Sequence, residues 1–202
     1  MVKSWVVPSV RYQRTPSSTG IWYVLDGSHN ETDEALRHVI RVAHGRGLKV
    51  LYNPHLWVGH GNWCGEIEMK SEEDWAAWFE AYRAFIVHHA LLAEEERADL
   101  FCVANEMVRT AGRSRQWRET IAALRRVFGG PLTYAANWGE EAEKVDFWDA
   151  LDFVSISAYY PLSNDPALDD PGLAAGAARI AERLAQIGRR TRRPVLLTEV
   201  GF

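Results

Sequence analysis

Cysteine is scarce: Cys64 and Cys102 are the only two in 202 residues. That is too few for a disulfide framework, and neither has the closely spaced partner a zinc site needs. His29, His38 and His44 show no metal-ligand spacing either, so neither a metal nor a cofactor is expected. A charge excess of one sign is also missing, since 23 Lys and Arg face 27 Asp and Glu, a formal net charge of −4. The basic footprint of a nucleic-acid binder is therefore absent. Apolar runs are short; the stretch from Pro194 to Leu197 falls far below the ~20 residues that span a bilayer, so no membrane partner is expected. Met1-Val-Lys-Ser-Trp-Val-Val-Pro carries no signal segment with a cleavage site. A native N-terminus of this kind places the chain in the cytoplasm, whereas a fragment of a longer product leaves secretion open. Gly45-Arg-Gly-Leu-Lys leads from a helical pattern into a strand, the reverse of a P-loop or dinucleotide turn.

What remains is an ordinary globular composition, 47% apolar and 25% charged, with nine Trp, seven Tyr and seven Phe. The length suits one domain over residues 1–202. Helical and strand patterns alternate along it. Strand-like runs lie at Trp5–Val10, Leu48–Trp57, Leu100–Val103, Leu132–Asn137, Phe153–Tyr160 and Val195–Val200. Helical periodicity covers Asp33–Arg46, with Thr32 as cap and Gly47 as stop, then Glu72–Arg97, Trp117–Phe128 and Gly172–Ile187. On the second of these, Trp75, Trp78, Phe79 and Tyr82 recur at helical spacing and read as core. The near-continuous apolar strands are those of a helix-covered parallel sheet, either a barrel or an open doubly wound sheet.

The polar residues favour the barrel, whose active groups sit at the carboxyl ends of the strands. Successive strand ends carry Asn53 and His55, then Asn105 and Glu106, then Asn137 and Trp138, then Tyr159 and Tyr160, then Glu199. Simple alternation puts Cys102, Ala104 and Glu106 on one face, and Val195, Leu197 and Glu199 on another shared face. A carboxylate topping an apolar strand is costly unless it has partners or a task. Two such carboxylates across a cleft suit glycosidic cleavage, one as nucleophile or base and the other as acid. Pairing of each Glu with a nearby Arg is the plainer alternative. Trp57, His60 and Trp63 cluster in a Gly-rich loop after a strand end, where aromatic faces can stack on sugar rings or simply pack the loop.

The order of Gly47-Leu-Lys-Val-Leu-Tyr-Asn-Pro-His, Trp63-x-Gly-x-Ile, Asp74-Trp-x-x-Trp-Phe, Asn105-Glu106, Thr133-Tyr-Ala-Ala-Asn-Trp, Ser157-Ala-Tyr-Tyr-Pro-Leu and Thr198-Glu-Val-Gly-Phe resembles glycoside hydrolase family 113. The resemblance runs from about Trp5 to Phe202. It implies a TIM-type (β/α)8 barrel, a retaining endo-β-mannanase activity, Glu106 as acid/base and Glu199 as nucleophile. It further implies that Asn105 holds the sugar hydroxyl beside the reacting carbon and that Tyr159 hydrogen-bonds the nucleophile. Asn53 departs from the Lys the family tends to carry there. About six βα units are readable, so the barrel is expected to be incomplete, lacking strands one and eight, and prone to self-association through open edges.

The expected function is hydrolysis of β-1,4-mannan or a related polysaccharide by double displacement. The expected substrate-binding groups are Asn53, His55, Trp57, Trp63, Asn105, Asn137, Trp138, Tyr159 and Tyr160. Two alternatives are a non-catalytic carbohydrate-binding relic and a structural barrel module of a larger protein. Retention of both Glu residues speaks against the structural module.

Overall fold

A computed structural model describes residues 4–22, 32–163 and 170–201; His29 and Phe202 lie outside them. In chain order the strands are β1 (Ser4–Gln13), β2 (Ile21–Trp22), β3 (Lys49–Val58), β4 (Leu100–Asn105), β5 (Leu132–Asn137), β6 (Phe153–Ala158) and β7 (Val195–Val200). The helices are α1 (Asp33–Gly45), α2 (Glu72–Glu95), α3 (Ser114–Arg125), the single turn α4 (Glu141–Lys144) and α5 (Asp170–Thr191). The sheet has seven strands among the described residues rather than six, in the order β2-β1-β3-β4-β5-β6-β7. The additional strand, β2, is two residues long and pairs antiparallel with the end of β1. Every other pairing is parallel.

The order decides between the two architectures. A doubly wound sheet reverses its winding at a switch point. Here each parallel strand is laid beside its predecessor without reversal, as in a barrel wall. The packing agrees. Residues of α1, α2, α3 and α5 join Val50, Tyr52, Phe101, Tyr134, Val154 and Ile156 of the strands in one large buried cluster. On the opposite face only strand residues meet, with Leu51, Leu100, Cys102 and Ala135 buried and Phe153 and Leu196 against them. One face thus carries the helices, and the other is the inside of the wall.

Local chemistry explains the elements. Thr32 Oγ1 caps α1 by accepting from the Ala35 N–H at 3.1 Å, and Gly47 follows the helix at φ 71°, a left-handed conformation that favours glycine. Ser71 caps α2 in the same way through the Asp74 N–H at 3.1 Å. Along α2, Trp75, Trp78, Phe79, Tyr82, Phe85 and Ile86 are buried at helical spacing. The Trp78 indole donates to Gln13 Oε1 at 2.7 Å, and the Tyr82 hydroxyl donates to the Val103 carbonyl at 2.8 Å. Each buried polar tip is therefore satisfied while its ring fills the core. These two bonds also lock α2 against β1 and β4.

Candidate active site

Both candidate carboxylates sit just beyond an irregularity in strand pairing. Between β4 and β5, Cys102 lies opposite Thr133 but Asn105 lies opposite Ala135. Two residues of β4, Val103 and Ala104, thus span the single Tyr134. Between β6 and β7, Ile156 faces Leu197 and Ser157 faces Glu199, so Thr198 is the extra residue. Each is a β-bulge, which re-aims the side chains beyond it.

The first bulge turns Asn105 inward, and a left-handed backbone at Glu106 (φ 51°) turns the next side chain to the cavity as well. Adjacent residues of one strand end therefore serve the same site. The second bulge corrects the alternation expected for β7. Val195 packs against the helix-side core and Leu196 against the inner cluster. Glu199 reaches the cavity because the inserted Thr198 resets the pattern.

Glu106 and Glu199 line one cavity of about 950 Å³ at the carboxyl ends of the strands. Each carboxylate has an aromatic donor: the Trp63 indole N–H donates to Glu106 Oε2 at 3.0 Å, and the Tyr159 hydroxyl donates to Glu199 Oε2 at 2.8 Å. Both donors lean on a glycine. A Cβ added at Gly65 would run into the Trp63 ring, and one at Gly201 would run into the Tyr159 ring. The motifs Trp63-x-Gly and Glu199-Val-Gly thus supply the room in which these rings lie.

Burial pushes the Glu106 carboxyl above the usual carboxylate range, and the Glu199 charge adds to the rise. Hydrogen bonds from Trp63 and Asn137 pull in the opposite direction. The bond to Glu199, reinforced by its charge, holds the Tyr159 phenol above its ordinary value, so Tyr159 remains the donor. Burial raises the thiols of Cys64 and Cys102 to about 12, which leaves both protonated and weakly nucleophilic at neutral pH.

Glu141 is a further carboxylate of the site region that sequence reading did not single out. It is buried behind Asn137, accepts the Tyr134 hydroxyl, and accepts the Asn137 backbone N–H at 2.6 Å. The Tyr134 hydroxyl in turn accepts the Met107 N–H at 3.2 Å. One buried side chain thus ties the end of β5 to the residue after Glu106. Burial raises the Glu141 carboxyl to about 7; its two donors oppose the rise and Glu106 adds to it.

His55, Trp57, Trp63, Asn105, Asn137, Trp138 and Tyr159 all line the cavity with the two carboxylates. Asn53 and Tyr160 do not. Asn53 is wholly buried beneath His55, whose Nε2 it meets at 3.0 Å. It supports the wall because it points inward one layer lower on β3. Tyr160 is buried on the helix side, edge-on to Trp138 at 5.9 Å and beneath the Arg183 guanidinium. Of this neighbouring pair, Tyr159 alone faces the cavity. Among the described residues, Asn105 Oδ1 is buried and has no hydrogen-bond partner, an exception to the rule that buried polar atoms are paired.

The profile of Glycoside Hydrolase Family 113 matches residues 1–202. No curated protein matches the chain. Among solved structures, a GH113 β-mannanase, AaManA from Alicyclobacillus acidocaldarius in complex with ManMIm, superposes with a TM-score of 0.84 at 30% identity over 97% of this chain. A structure described as GH113 β-1,4-mannanase gives 0.81 at 31% identity over 94%. This chain spans 59% and 58% of their respective lengths. A β-glucuronidase from Ruminococcus gnavus, at 11% identity and a TM-score of 0.59 over 86% of this chain and 28% of that one, shares the fold alone.

Proposed function

The chain belongs to Glycoside Hydrolase Family 113, and from that premise we propose that it contributes the catalytic wall of a retaining β-glycoside hydrolase acting on β-1,4-mannan or a related polysaccharide. The observation that carries the reading is the convergence of Glu106 and Glu199 on one strand-end cavity, each held by its own aromatic donor.

In the first step a carboxylate oxygen of Glu199 attacks the anomeric carbon while Glu106 gives its proton to the glycosidic oxygen. The C–O bond to the leaving sugar breaks and a glycosyl ester on Glu199 forms. Glu106, now ionised, takes a proton from water. As that proton leaves, the water oxygen attacks the same carbon, the ester C–O bond breaks and Glu199 returns as the carboxylate, with Glu106 protonated for the next cycle. Burial that favours the protonated form of Glu106 suits its first task. Asn105 Oδ1 accepts the hydroxyl beside the reacting carbon, and Tyr159 aims the nucleophile.

Reducing sugar released from β-mannan, measured for the wild-type chain and its Glu106→Gln and Glu199→Gln variants, tests the reading. The expected loss in kcat is about 10²–10⁴-fold for each variant. Full activity in either variant would overturn the assignment. Tight binding of mannooligosaccharide without turnover by the wild type would replace it with a binding role.

A further inference from the structure

The cavity is continued on one side by a row of aromatic rings that its two carboxylates do not explain. Trp57 lines the cavity wall on β3. Its cross-strand partner on β1 is Tyr12, whose partner on β2 is Trp22. Residues directly opposite on neighbouring strands point to the same face of a sheet. That face is the inner one, because Gln13, the next residue on β1, reaches the helix layer to accept the Trp78 indole N–H. The Tyr12 and Trp57 rings meet edge-on with centroids 6.0 Å apart.

The two outer members of the row are uncovered: Trp57 is 53% and Trp22 60% exposed. Two exposed indoles on one sheet face, bridged by Tyr12, leave apolar surface in water unless something covers it. The Trp22 ring also lies against a glycine, since a Cβ at Gly20 would run into it. Trp22 therefore shares with Trp63 and Tyr159, the two donors of the site, an exposed ring fitted against a glycine backbone.

We propose that Trp22, Tyr12 and Trp57 form a stacking track for further sugar units of the polysaccharide, running from the catalytic cavity to the β2 edge. The proposal rests on the glycosidase reading and extends it to chain length. Adjacent strands lie about 4.8 Å apart, and the Tyr12 and Trp57 ring centroids lie 6.0 Å apart, on the scale of one sugar unit. Aromatic faces offer pyranose C–H surfaces an apolar contact while the sugar hydroxyls stay in water. A single-stranded nucleic acid also stacks on aromatic rings but needs a basic groove. This track instead opens into a cavity holding Glu106 and Glu199.

Calorimetric titration on the Glu199→Gln background, which prevents turnover, tests the track with β-1,4-mannobiose and β-1,4-mannohexaose. Trp22→Ala is expected to weaken hexaose binding by about fivefold and leave the biose unchanged. Trp22→Phe is expected to restore most of the loss. An unchanged hexaose affinity, or an equal loss for both lengths, would overturn the track while leaving the catalytic reading standing. Absence of binding to either sugar before any Trp22 change would overturn the glycosidase reading on which the track rests.

Discussion

Tyr159 donates its hydroxyl to Glu199 Oε2 at 2.8 Å, and its ring lies against Gly201, two residues beyond the carboxylate it serves. The phenol is partly exposed, so its contribution lies in aim rather than in stability. Tyr159→Phe is expected to lower kcat on β-mannan by about tenfold with little change in KM. A change confined to KM would place Tyr159 in substrate binding instead.

Trp63 holds the other carboxylate. Its N–H stabilises the ionised form of Glu106 against the burial that favours the protonated form. Trp63→Phe removes that donor, so the Glu106 carboxyl should rise further. A general acid that keeps its proton longer moves the alkaline limb of the kcat/KM profile to higher pH. An unmoved limb, or one displaced to lower pH, would contradict the assignment of Glu106 as the acid.

Glu141 makes a prediction about stability. Its folded carboxyl is raised from 4.5 to about 7, so the folded state binds this proton more tightly than the unfolded chain does. The linked stability is complete below about pH 4.5 and is lost as pH rises to about 7, a span of roughly 3 kcal/mol. His89 pulls the other way, because burial lowers it to about 2 and it must stay neutral, hydrogen-bonded to the Tyr52 hydroxyl at 2.8 Å. Comparing urea unfolding of wild type and Glu141→Gln cancels the His89 contribution. The wild type should lose stability relative to the variant between those pH values. Parallel curves would show that Glu141 titrates normally.

Open sheet edges predict association. Among the described residues β7 pairs only with β6, and β2 covers β1 only at Tyr12 and Gln13. Leu197 and Val200 on β7 are exposed. Unpaired apolar strands of this kind template pairing with another copy. Sedimentation of the 202-residue chain should show a mass rising above 22.9 kDa with concentration. A monomer at every concentration would contradict this.

The alternating elements were legible because they have local signatures: Thr32 caps α1, Gly47 stops it, and the aromatic period of α2 marks its buried face. The cavity was legible through eight residues at or beside strand ends, which converge with the loop residue Trp63. The bulges were not. Neither contains a glycine or proline, so nothing in Val103-Ala104 or Thr198 announces an extra residue, and only pairing with β5 and β6 reveals it. Alternation assigned Glu106 and Glu199 to the inner face together with Ala104 and Val195, which pack on the helix side; the bulges and the left-handed Glu106 backbone bring the two carboxylates inward. Glu141 escaped because Gly-Glu-Glu-Ala-Glu reads as a solvated turn; its burial follows from the hydroxyl of Tyr134, seven residues away. Asn53 and Tyr160 were misplaced by layer and by face. The two residues of β2 were too few for a pattern, and with them the exposed Trp22 went unnoticed.

The central claim is that Glu199 is a covalent nucleophile served by Glu106. Incubation with a 2-deoxy-2-fluoro-mannosyl fluoride, which slows breakdown of a glycosyl ester more than its formation, followed by intact mass and peptide mapping, tests it directly. The account predicts one added fluoromannosyl unit per chain, esterified to Glu199, and none in Glu199→Gln. An ester on another residue, or catalytic turnover of mannan with inversion at the anomeric carbon, would contradict it.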